Sequence, residues 1–178
     1  MNLTIVRTLW SALLFSTFVE LGIVLWGDFD RYVYLQVEIT VAVAVVAATL
    51  AVASFLLPSR LYSAALERLA LPVIEVPVQN NDAARDYRSA AGSQRVFREA
   101  DAARSAMVRA FQAPFLVSVA LAESIAILGV VIAQGRLAPS VYALPFFVVA
   151  WVLLGLRFPR VANVVEPAER LYSAQLAR

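Results

Sequence analysis

The sequence predicts an all-α integral membrane protein: four spanning helices, arranged as two tandem-repeated hairpins, with amphipathic helices on the cytoplasmic side. Three observations lead there. Apolar residues make up 61% of the chain and charged residues 16%, against about 45–50% and about 25% in soluble domains. Four long apolar segments are separated by polar stretches. The arginines are distributed very unevenly over those polar stretches.

The first segment, residues 5–26, carries Arg7 near its start, with Trp10 and Trp26 as interface anchors. Glu20 lies inside it, and GDFDR follows in place of a small-residue cleavage site, so it reads as a retained span and not a signal peptide. The turn at 27–32 leads to a second helix over 33–57, stopped by Pro58. Ala44, Ala47, Ala48, Ala51 and Ser54 recur there at helical spacing, which predicts a face where a neighbouring backbone approaches closely.

Residues 59–112 form the one sizeable polar region. SRLYSAALERLA (59–70) suits an amphipathic helix lying on the membrane surface, with Arg60 and Arg68 toward the headgroups. LPVIEVPVQNN holds two prolines and reads as an extended connector. Asp82 and Gly92 bracket a short helix as N-cap and C′ residue. A further helix from about Ser93 presents Phe97, Ala100, Met107, Val108 and Phe111 on one side.

Pro114 then opens the third span, residues 113–135, as a first-turn proline. At about 1.5 Å per residue this segment reaches about 34 Å, enough to cross a hydrocarbon core of about 30 Å. Its single charge, Glu123, lies near its middle. A short turn follows, then a fourth helix over 140–156 that bends at Pro145. The tail from Arg157 is again amphipathic, with Arg157, Arg160 and Arg170 placed for the membrane surface.

Orientation comes from the arginines. Thirteen of the fifteen lie at the N-terminus, in the central region and in the tail; the two short turns hold one each, Arg31 and Arg136. That asymmetry predicts an inner-membrane protein with both termini and the centre in the cytoplasm.

A repeat underlies the plan. RLYSAAL (60–66) and RLYSAQL (170–176) differ at one position in seven, and Glu20 and Glu123 each sit in the first helix of a hairpin. The units expected are 1–70, a hairpin with its surface helix; 71–112, the connector; and 113–178, the second hairpin with its surface helix.

Composition removes most chemistry. The chain has no cysteine, histidine or lysine, so thiolate or imidazole metal sites, Cys nucleophiles, the usual general base and Schiff-base lysines are excluded. No catalytic group, metal or cofactor is expected. The central region sets eight Arg against six acids, too balanced for a nucleic-acid binder. The candidates left are the intramembrane carboxyls Glu123 and Glu20. A carboxyl in hydrocarbon is costly and stays neutral unless a cation reaches it. Three roles fit: a hydrogen bond to a neighbouring helix, with Ser118, Ser124 or Thr17 as local partners; ion binding and translocation; or recognition of a partner's basic residue.

At these residues, ALAESIAILGVVIA (120–133) resembles the ion-carrying helix of the rotary ATPase proteolipid (c) subunits, where an Ala-Glu dipeptide in an apolar helix is followed by Gly and further Val, Ile and Ala. The resemblance covers about fourteen residues. It implies that Glu123 is the ion-binding carboxylate and Gly129 a close-packing position, with Glu20 a second copy. The sequence thus leads to a non-enzymatic subunit or scaffold of a membrane assembly. A proton-translocating component using Glu123 and Glu20 is the alternative. The partners expected are the lipid bilayer and other membrane subunits or further copies of the chain.

Overall fold

The computed structural model describes residues 3–27, 37–77, 93–134 and 139–176. Within them the chain runs α1 (Leu3–Trp26), α2 (Val37–Glu67), β1 (Val73–Pro77), β2 (Ser93–Phe97), α3 (Ala100–Ala133), α4 (Pro139–Leu156) and α5 (Val161–Tyr172). The short helix expected between Asp82 and Gly92, and the turns at 28–32 and 135–138, lie outside the described residues.

Three helices, α1, α2 and α3, are long and apolar enough to cross a membrane; α4 and α5, which meet at 60°, form a fourth candidate if taken as one broken span. The central member is α3. In its most apolar stretch 44% of residues are buried, against 11% in α1 and in α2, so those two mostly decorate it. α2 and α4 pack most extensively on α3, and α1 lies against α3 and α4. The outward faces carry Phe15, Phe18, Val19 and Ile23 on α1 and Val41, Val45, Val52 and Phe55 on α2, all exposed. A contiguous apolar exterior of that extent suits lipid and not water.

Two helix ends differ from the sequence expectation. α2 does not stop at Pro58 but runs through it to Glu67, and α3 begins well before Pro114. The residues 59–67 and 100–112 are therefore continuations of the long helices. A proline inside a helix costs about 3 kcal/mol because it lacks an N–H and crowds the carbonyl four residues back. Packing offsets that cost here. Beyond Pro58, Tyr62 and Leu66 are buried in a cluster with Phe97, Met107, Val108 and Val164. The carbonyl that Pro58 leaves free, that of Ser54, accepts a hydrogen bond from Arg157 Nη2 at 2.7 Å.

The all-α expectation also needs correction. Ser93–Phe97 is a strand, not the start of a helix, and it pairs antiparallel with Val73–Pro77, setting Glu75 opposite Arg95 and Val73 opposite Phe97. Gln175 joins β2 in a parallel bridge to Val96. Backbone pairing with β1 on one side and Gln175 on the other outweighs the helical spacing that Phe97 shares with Met107. Phe97 still enters the predicted apolar cluster, but from β2.

This small sheet, the C-terminal end of α2, the first turns of α3 and α5 form a cap at the arginine-rich end of the bundle. Two tyrosines from the repeated heptapeptides tie it together. Tyr62 Oη donates to the Val164 carbonyl at 2.6 Å, and Tyr172 Oη donates to the Leu66 carbonyl at 2.7 Å. The second copy therefore binds a carbonyl of the first, whereas Tyr62 of the first binds α5 upstream of the second copy. The copies do not share a local fold. Residues 60–66 are helical throughout, whereas α5 ends at Ser173 in the left-handed region, φ 49°.

Candidate functional site

Glu20 on α1 and Glu123 on α3 are each half-buried, and they approach closely enough for their charges to interact. α1 is held in register for this by two tryptophan indoles. Trp10 Nε1 donates to the Leu154 carbonyl at 2.9 Å. Trp151 Nε1 donates to Thr17 Oγ1, also at 2.9 Å, one turn before Glu20. Trp10 therefore serves helix packing more than interface anchoring, while Trp26 is 86% exposed at the other end.

The carboxyl pair lacks the local partners that the sequence proposed. Thr17 Oγ1 donates to the Leu14 carbonyl, and Ser124 Oγ donates to the Ala120 carbonyl. Ser118 Oγ is buried without a partner, and so is Glu20 Oε2. A carboxylate oxygen buried without a partner in apolar surroundings is costly, so Glu20 calls for a donor or a cation. Among the described residues no group of acids reaches metal-site density.

Gly129, one and a half turns beyond Glu123, permits the close approach of α3 and α4. A Cβ placed there would lie 2.9 Å from Phe146 Cβ and 3.2 Å from the Ala143 carbonyl oxygen. That spacing locks the helix carrying Glu123 against α4.

Of the small residues on α2, Ala47 and Ser54 are buried and Ala51 is partly so, whereas Ala44 and Ala48 are exposed. The contacting stripe is narrower than the sequence spacing indicates and continues through Pro58, Tyr62 and Leu66. Among the arginines expected at the membrane surface, Arg60, Arg68, Arg160 and Arg170 are exposed. Arg157 turns inward, with its guanidinium 5.0 Å from the centroid of the Phe55 ring.

The fold and site define a helical bundle with span-length helices, a central carboxyl-bearing helix and a mixed cap. No family model matches the chain, and neither does any curated protein or solved structure. The likeness of residues 120–133 to a proteolipid helix rests on those residues alone.

Proposed function

We propose that the chain is a non-enzymatic, multi-pass subunit or scaffold of a larger assembly in the inner membrane. In this reading it has both termini and the cap in the cytoplasm, and it arose by tandem duplication of a Glu-bearing hairpin and its surface helix. The observation that carries the reading is the Glu20–Glu123 pair, half-exposed and with Glu20 Oε2 unpartnered. A carboxylate oxygen buried in an apolar bundle without a partner costs free energy until a donor or a cation reaches it. A basic side chain on a neighbouring subunit supplies the missing charge.

The same convergence favours a second reading from a different class. A half-buried carboxyl on a span-length helix can also bind a proton, which is what the proteolipid resemblance implies for Glu123, and translocation would run through it.

Mild purification from native membranes, with identification of what accompanies the wild type and Glu123→Gln, tests both. The subunit reading expects the partner to be lost with Glu123→Gln while the chain's own stability is unchanged. The ion reading expects the partner retained, proton-linked activity lost, and Glu123 of the parent labelled by a hydrophobic carbodiimide, which attacks protonated carboxyls. Unchanged partners, unchanged proton coupling and no labelling would overturn both and leave a purely structural carboxyl.

A further inference from the structure

At the junction of bundle and cap lies a cavity of about 350 Å³, walled by α2, α3, α5 and the bend between α4 and α5. Its location follows from the prolines. Pro58, Pro114 and Pro167 all line it, and each interrupts the backbone ladder of its helix, so three helices lose a main-chain hydrogen bond around one space. Arg157 reaches in from the bend and satisfies one of the freed carbonyls, that of Ser54.

Two polar atoms of the lining residues remain unsatisfied. Ser118 is 2% exposed and its Oγ has no hydrogen-bond partner. Arg157 Nε is likewise buried and unpartnered. Buried polar groups are nearly always paired, so each such exception needs an explanation. A guanidinium N–H can only donate, and a serine hydroxyl donates as readily as it accepts. The pair together calls for an acceptor carrying negative charge. The other polar groups lining the cavity have partners: Asn163 donates to the Phe158 carbonyl, and Glu166 pairs with Arg170 at 3.4 Å. Phe111, Phe115 and Leu156 supply an apolar wall beside this donor set.

We propose that this cavity binds the phosphate of an anionic phospholipid headgroup, with Arg157 and Ser118 as donors and the apolar wall against the start of the acyl chains. Basic pockets between helices at the cytoplasmic surface are suited to such headgroups. Only the choice of leaflet rests on the orientation proposed above; the binding chemistry does not.

The test uses the full chain in nanodiscs of phosphatidylcholine with a minor fraction of phosphatidylglycerol, followed by native mass spectrometry of retained lipid. Wild type retains phosphatidylglycerol in preference to phosphatidylcholine. Arg157→Gln lowers that retention about tenfold, and Ser118→Ala a fewfold, as expected for losing a charge-assisted and a neutral hydrogen bond. Arg160→Gln, an exposed arginine outside the cavity, leaves it unchanged. Should Arg157→Gln fail to fold, Ser118→Ala decides the matter, because it removes only an unpartnered hydroxyl. Equal retention of both lipids by wild type overturns the proposal, as does equal loss in Arg160→Gln. Inorganic phosphate that binds wild type, fails to bind Ser118→Ala and leaves no lipid retained would make this a site for the free anion and overturn the lipid assignment.

Discussion

At the scale of single residues, the bundle depends on places where backbone meets backbone or a lone side chain closes a gap. Gly129 is one. Any Cβ there would sit under 3.0 Å from Phe146 Cβ, so α3 or α4 must shift to admit it. Gly129→Ala should cost about 1–3 kcal/mol, read as a lowered unfolding midpoint in detergent. Gly155→Ala, with nothing within 4 Å, should be neutral or slightly stabilising, since alanine is the better helix former. Gly129 was legible in the sequence only through the proteolipid resemblance. The inward turn of Arg157 was not, because its cause is the distant Pro58, whose missing N–H frees the Ser54 carbonyl. Nothing local to Arg157 in the sequence distinguishes it from Arg160, which stays outside.

At the scale of elements, hydropathy identified the apolar lengths of the helices but not where they end. Pro58 and Pro114 read as a stop and a start because local chemistry favours those roles. The buried cluster around Tyr62, Leu66, Met107 and Val108 outweighed them. The same competition decides which alanines of α2 touch α3. Spacing alone put Ala47 and Ala48 together on a close-packing face, but they lie 100° apart on a helix of 3.6 residues per turn. Ala47 is 8% exposed, and Ala48 faces outward. Ala47→Leu should therefore overpack the contact by about 1–3 kcal/mol, while Ala48→Leu should be tolerated in denaturant titrations. The sheet was partly legible: the two prolines of LPVIEVPVQNN mark an extended segment, but its partner SQRVF offers too few residues to separate strand from helix. In the cap, Tyr62→Phe and Tyr172→Phe should each cost about 0.5–1.5 kcal/mol. Each should also speed hydrogen exchange in α5 and the end of α2, leaving the outer halves of α1 and α4 unchanged.

For the whole molecule, the central claim is a multi-pass bundle whose cap, α5 and N-terminal end share one side of the membrane. The two sequence signals behind it, apolar length and arginine asymmetry, are global sums, so they survive errors in individual helix ends. The helix packing agrees with this arrangement: Arg7 Nε donates to the Pro159 carbonyl, joining the start of α1 to the bend before α5 at the same end of the bundle. The chain has no cysteine, so a single introduced thiol reports its position without background. Glu75→Cys on β1 and Ser173→Cys after α5 should resist a membrane-impermeant maleimide in intact cells and react once the membrane is opened. Gly27→Cys and Gln134→Cys, at the far ends of α1 and α3, should react without opening it. Labelling of Glu75→Cys in intact cells, or protection of Gln134→Cys, would contradict this arrangement.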